Sequence, residues 1–173
     1  MADTWRATAQ GVAFASGKSM LDIFNATGSS RVLRVRRAYQ FNNGLTLVTG
    51  VLTNMRLYRT SAASAGTAVT PVAHDTGNTA LHANITAGHN RTVTDGDLFR
   101  QYIWSNDEPT VSAATMDEWE LLVPFAEVWN AGYGDSNVQP ITLRENQGFH
   151  IKNQGSTAVG TNDFEIEFTN EAS

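Results

Sequence analysis

The segment from Pro140 to Thr169 constrains this chain more than any other. Ile141 and Leu143 alternate with polar neighbours, a Glu145-Asn146-Gln147-Gly148 turn follows, and Phe149 and Ile151 alternate again. After a loop rich in Gly, Ser and Thr, Phe164, Ile166 and Phe168 alternate with Glu165, Glu167 and Thr169. Side chains on a strand point to opposite faces with a period of two, so each run reads as a half-buried strand. The Gly-containing turns between them read as antiparallel connections.

The rest of the chain extends this pattern. Arg31 to Phe41 predicts a strand with Leu33, Val35, Tyr39 and Phe41 on one face and Arg34, Arg36 and Gln40 on the other. Arg37 then falls on the apolar face, which implies either a strand running past the core edge or an acidic partner. Asn42-Asn43-Gly44 is a strong hairpin signal, so Leu45 to Arg59 reads as the partner strand, with Gly50 as a bulge or bend. Ser19 to Phe24, Ala80 to Ile85, Met116 to Phe125 and the run at Val128-Trp129 are further candidate strands. Thr67 to Ala73 is an edge strand interrupted by proline, and Asp107-Glu108-Pro109 is a turn. Thr92 to Trp104 fits a strand or a helical turn, and its spacing does not separate the two. The count is about eight to ten strands with turns at short intervals and no long helix. The expected fold is all-β, an antiparallel β-sandwich that is jelly-roll-like, with an up-and-down barrel as the alternative.

No internal repeat and no long linker divides the chain. Residues 17–173 therefore read as a single β-sandwich domain, preceded by an extended N-terminal arm over residues 1–16. The arm is small and polar, with Trp5 and Phe14 as its only large apolar groups. Two aromatics on a segment without its own periodicity are either anchors in a partner's pocket or groups that fold back on their own domain.

Composition narrows the function. A chain of 173 residues buries roughly 70% of the surface its unfolded form exposes, and needs no disulfide staple. It has no Cys, which removes thiol catalysis and thiolate metal sites. With a formal net charge of −5 and 17% charged residues, it lacks the basic face of a general nucleic-acid binder. Nearly all its positive charge is Arg, with Lys18 and Lys152 the only lysines. No run approaches the ~20 apolar residues that span a bilayer, so no membrane partner is expected. The first residues lack the apolar stretch of a signal peptide, and the initial Met leads us to expect a cytoplasmic translation product.

A search for chemistry finds little. The histidines His74, His82, His89 and His150 show no metal-ligand spacing, and each reads as a surface or loop histidine. Glu118 and Glu120 alternate with Trp119 and read as a solvated strand face rather than a glycosidase pair. Asp95-Gly96-Asp97 is a weak calcium signal, and no nucleophile elbow or phosphate-binding loop occurs. No catalytic residue, cofactor or metal is therefore assigned, and the protein is not expected to be an enzyme. The one basic cluster, Arg31, Arg34, Arg36 and Arg37, suits an acidic protein surface better than phosphate because the overall charge is negative.

The stretch from Ile141 to Asn153, with Phe164-Glu-Ile-Glu-Phe-Thr169 after it, resembles small β-sandwich proteins of tailed bacteriophages, several of which decorate or cement the head. The run from Arg31 to Arg59 and the loop Arg59 to Gly66 suit the same resemblance. It implies a virion protein on the capsid exterior, a homotrimer at three-fold or quasi-three-fold positions that bridges adjacent major capsid proteins. On that expectation Trp5, Arg6 and Phe14 clamp the partner, and Arg34, Arg36, Trp129 and Tyr133 are further interface candidates. The alternative function is a carbohydrate- or receptor-binding module of a phage tail or fibre, with Trp104, Trp129 and Tyr133 as stacking platforms. A cupin-like enzyme is a third reading.

Overall fold

The strands of this protein divide between two sheets. The structure, a computed structural model, describes residues 3–42, 51–106, 125–132, 138–157 and 160–172. Among them lie β1 (Asp3–Ala13), β2 (Ser19–Asn25), β3 (Arg31–Asn42), β4 (Val51–Ser64), β5 (Thr67–Val69) and β6 (Val72–Ala73). They are followed by β7 (Ile85–His89), β8 (Thr92–Asn106), β9 (Phe125–Asn130), β10 (Ile141–Leu143), β11 (Gln147–Asn153) and β12 (Thr161–Ala172). The first sheet runs β10-β3-β12-β1-β6, with β9 also beside β3, and the second runs β5-β7-β2-β11-β4-β8. All strand pairs are antiparallel. The cores of the two sheets, β1-β12-β3-β9 and β2-β11-β4-β8, give the order of a jelly roll. The expected all-β sandwich is the observed one.

The apolar faces of the two sheets meet in one core. Phe164, Ile166 and Phe168 of β12 pack there with Trp5, Ala7 and Ala9 of β1 and Leu33 and Val35 of β3. The second sheet supplies Leu21 and Ile23 from β2, Met55 and Leu57 from β4, and Phe149 and Ile151 from β11. Each set keeps the period of two that the sequence carries.

Three sequence expectations are corrected. Residues 31–59 do not form a hairpin. One edge of β3 is filled by β12 and the other by β10 and β9, while β4 lies in the opposite sheet between β11 and β8. An Asn-Gly turn signal is local, and it loses to the pairing of whole strands; Asn43, Gly44 and residues 45–50 lie outside the described residues.

The face of β3 changes midway. Glu167 pairs with Arg37 and Phe168 with Val35, so Arg36 is an extra residue in a bulge. One inserted residue flips every later side chain. Ala38 and Gln40 are therefore buried, and Arg37 is exposed rather than on the apolar face.

The N-terminal segment is not an arm waiting for a partner. Asp3 to Ala13 form β1, paired with β12 from Asp3–Asn170 to Ala13–Thr161 and with β6 on its other edge. Against Asp163 the strand accommodates an extra residue at Gly11, where φ is 62° and the amide donates to Asp163 Oδ1 at 2.8 Å. The polar residues of β1 hid its alternation, because Ala7 and Ala9 are small apolar groups that a periodicity reading undervalues.

Smaller differences follow the same logic. Thr92 to Asn106 is a strand throughout, and the strand expected at 80–85 begins instead at Ile85. Thr67 to Ala73 splits at Thr70-Pro71 into β5 and β6, one in each sheet. The turn at Asp107-Glu108-Pro109 and residues 116–124 lie outside the described residues.

Removing residues 2–16 would bare an edge of β12 and take Trp5, Val12 and Phe14 from the core. The truncated chain is expected to show no cooperative unfolding by calorimetry. Phe14→Ala is expected to cost about 3–5 kcal/mol in urea unfolding. Cooperative, near-native unfolding of the truncated chain would show that β1 is dispensable.

Candidate functional site

The outward face of the second sheet carries a polar layer that is largely shielded from solvent. In β11, Phe149 and Ile151 point into the core, so His150 and Lys152 point out. His150 stands opposite Asp22 of β2 on one side and Tyr58 of β4 on the other; Lys152 stands opposite Arg56. An outward strand face is normally solvated. Here Asp22 and His150 are 0% exposed, Tyr58 is 7% and Lys152 is 9%.

The cover comes from the chain's own path. Only Asn90 and Arg91 separate β7 from β8, yet β2, β11 and β4 lie between those strands in the sheet. The first residues of β8 must therefore cross β2 and β11 before settling beside β4. They travel with the end of β4, pairing Thr92 with Ser64 and Val93 with Ala63. This two-stranded strap lies over the polar layer.

Two ion-pair groups pin the strap. Arg91 Nη1 donates to Asp22 Oδ1 and Thr86 Oγ1, both at 3.2 Å, and Nη2 donates to the Ala87 carbonyl at 2.9 Å. Ser19 Oγ donates to Asp22 Oδ2 at 2.7 Å and accepts from the Arg91 amide at 3.1 Å. Gly88, opposite Asp22, leaves the space that the guanidinium fills, since a Cβ there would run into Arg91 Nε. At the second pin, Lys152 Nζ donates to both Asp95 oxygens, at 2.9 and 2.7 Å, and Gln154 Nε2 donates to Oδ2 at 3.2 Å. His150 Nε2 lies 3.2 Å from Asp95 Oδ1 without full hydrogen-bond alignment, and its Nδ1 has no partner among the described residues.

Burial sets the protonation of this layer. It pushes the Asp22 carboxyl up to about 6, against the Ser19 hydrogen bond and the Arg91 charge that favour the carboxylate. It pushes His150 down to about 4, against the attraction of Asp95 and with added repulsion from Lys152. Both groups are thus held neutral around pH 5, although they are neighbours across the β2–β11 pair.

The residues nominated from sequence do not come together here. Trp5 and Phe14 are core groups, 8% and 0% exposed. Arg6 lies on the outer face of the first sheet, with Nε 3.2 Å from Glu165 and Nη2 3.5 Å from Glu167. Arg34 Nε reaches both oxygens of Glu171 at 3.1 Å, and Arg36 occupies the bulge of β3. Trp129 is half-buried against Phe99, at 6.1 Å between ring centroids, and Trp104 is 7% exposed. Tyr133, Glu118, Trp119 and Glu120 lie outside the described residues. Asp95 and Asp97 face Lys152 and Arg59 rather than sharing a cation, the latter at 3.5 Å. His150, read as a surface or loop histidine, is a fully buried strand residue.

The residues that form the layer were visible only as single polar interruptions, Asp22 between Leu21 and Ile23 and His150 between Phe149 and Ile151. Such an interruption also marks an ordinary solvated face, so it pointed nowhere by itself. Among the described residues no group of three or more His, Asp and Glu side chains is placed to hold a metal ion. Comparison with known proteins finds no matching family model, no matching curated protein and no matching solved structure.

The Asp22 and His150 titrations act on stability with opposite sign. Between its ordinary 3.8 and about 6, Asp22 holds a proton in the folded protein that the unfolded chain has released, so its contribution falls as pH rises through that window. Between 6.5 and about 4, the unfolded chain binds a proton that folded His150 refuses, so its contribution falls as pH drops. In the parent protein the two slopes offset each other. Asp22→Asn is expected to uncover the His150 slope, losing about 3 kcal/mol relative to the parent from pH 6.5 to 4. His150→Gln is expected to show the reverse slope. Urea unfolding across this range checks both, and parallel pH profiles for all three proteins would refute the assignment.

Proposed function

We propose that this jelly roll is a structural assembly protein, a decoration or cement protein of a tailed-bacteriophage head. It would associate with copies of itself as a homotrimer and bridge adjacent major capsid proteins on the capsid exterior. The observation that carries the reading is β8. It is a strand of 15 residues at the end of its sheet, paired among the described residues with β4 alone. It exposes Leu98 at 49% and Ile103 at 68%. A long edge strand with outward apolar side chains is a template for pairing with another chain. The reading of that chain as a capsid protein rests on the resemblance of residues 141–169 to small β-sandwich proteins of tailed phages, several of which decorate the head.

The mechanism is interface burial. A protein that covers the joint between two capsid subunits, with obligate interfaces of roughly 2,000 Å² or more, must lose those contacts before the shell can open there. Arg6 and Arg34 already pair with Glu165, Glu167 and Glu171, and Trp5 and Phe14 fill the core. The contact surface therefore moves from the N-terminal segment to β8. Trp104 and Trp129, offered as sugar-stacking platforms, are engaged in packing, so the glycan-binding alternative draws no support from them.

Light scattering after size exclusion is expected to give a trimer mass, and the protein is expected to sediment with purified heads. Ile103→Asp, at a site 68% exposed, should leave the unfolding midpoint nearly unchanged while weakening one or both associations at least tenfold. A monomer that ignores both unexpanded and expanded heads would overturn the proposal. Binding on a glycan array would favour the tail-module alternative instead.

A further inference from the structure

Of the 12 Lys and Arg residues in this chain, only Lys18 and Lys152 are lysines. The ion pairs of Arg6, Arg34, Arg59 and Arg91 use a guanidinium, which holds a carboxylate but does not attack it. The strap's second pin uses an amine instead. Lys152 Nζ sits 2.7 and 2.9 Å from the two oxygens of Asp95, on a side chain 11% exposed against one 30% exposed. Beside the same carboxylate stands the fully buried imidazole of His150, with Nε2 3.2 Å from Oδ1.

We propose that Lys152 Nζ and Asp95 Cγ join in an intramolecular isopeptide bond, which fastens the first residues of β8 covalently to β11. The fold holds amine and carboxyl together, so their encounter carries no translational cost. The pair that reacts is the neutral amine and the carboxylic acid, one proton transfer away from the ion pair. One proton passes from Nζ to the carboxylate, and the Nζ lone pair then forms a bond to Cγ. A second Nζ proton moves to the departing oxygen, the Cγ–O bond breaks, and water leaves. Ammonium plus carboxylate thus become amide plus water, with no oxidant, reductant or co-substrate. His150 Nε2 is placed to relay the proton to and from Asp95 Oδ1, after a small rotation that completes the hydrogen bond it now only approaches. Neutral His150 has a lone pair for this task, consistent with the burial that holds its proton affinity down.

The inference does not depend on the proposed function, and its test is a mass. Full-length purified protein, kept at neutral pH and then denatured, is expected to weigh one water less than its sequence. Exhaustive amine labelling should then find Lys18 reactive and Lys152 blocked, and digestion should yield an Asp95 peptide joined to a Lys152 peptide. Lys152→Arg and Asp95→Ala should each retain the full mass. His150→Gln should join roughly a hundredfold more slowly in a time course of the refolded protein, the lower end of the range for a lost proton relay. The parent measurement needs no variant to fold. A parent protein at full sequence mass would overturn the proposal. So would loss of water with both lysines still reactive, the mark of a cyclic imide at Asp95-Gly96, which hydroxylamine cleaves. An unchanged joining rate in His150→Gln would overturn the relay.

Discussion

The pairing of β1 along the whole of β12 is the constraint on which the other strands depend. It joins the two ends of the chain, from Asp3 opposite Asn170 to Ala13 opposite Thr161, and sets β12 in the middle of the first sheet. With β12 fixed, its other edge takes β3, and β3 in turn receives β10 and β9. The apolar face made by Trp5, Phe164, Ile166 and Phe168 then has a single place to be buried, against Leu21, Ile23, Leu57, Phe149 and Ile151 of the second sheet. Contacts this distant in sequence carry a large loop-closure cost before they return any burial, so the fold belongs with the slow-forming β topologies.

The second sheet adds a feature that two stacked layers do not require. Its outward face is closed over by the strap between β7 and β4, and this converts Asp22, His150, Tyr58 and Lys152 from surface groups into buried ones. Burying such groups is costly unless each finds a partner. Arg91 and Ser19 meet Asp22, and Asp95 meets Lys152 and His150. Gly88 matters here because the missing side chain is the space through which Arg91 reaches Asp22. The polar layer thereby fixes where the strap lies, much as the apolar core fixes the sheets.

Legibility in the sequence followed the size of the side chains. Phe164, Ile166 and Phe168 declared β12, and Phe149 and Ile151 declared β11, because large apolar groups at a period of two line one face of a strand and scatter around a helix. β1 was hidden, since its inward positions after Trp5 are Ala7 and Ala9, which lend little contrast against Thr and Gln. In β3 the alternation itself misled. Tyr39 and Phe41 continue the apolar phase of Leu33 and Val35 only if no residue is inserted, and the bulge at Arg36 is set by pairing with β12. The Asn-Gly signal after it is a local preference of about the strength of one turn, weaker than the several strand pairs that place β3 and β4 in different sheets.

The sequence by itself determined that this chain makes strands with one apolar face each, and that thiol and extended basic chemistry are absent. Those properties are local, written in side-chain type and in alternation over five or six residues. Tertiary structure alone decided which strands are neighbours, that the N-terminal residues lie inside the first sheet, and that His150 is buried beside Asp95 and Lys152. Strand order and the crossing of the strap depend on pairings between residues far apart in the chain. Their free energy lies in contacts that no single segment contains.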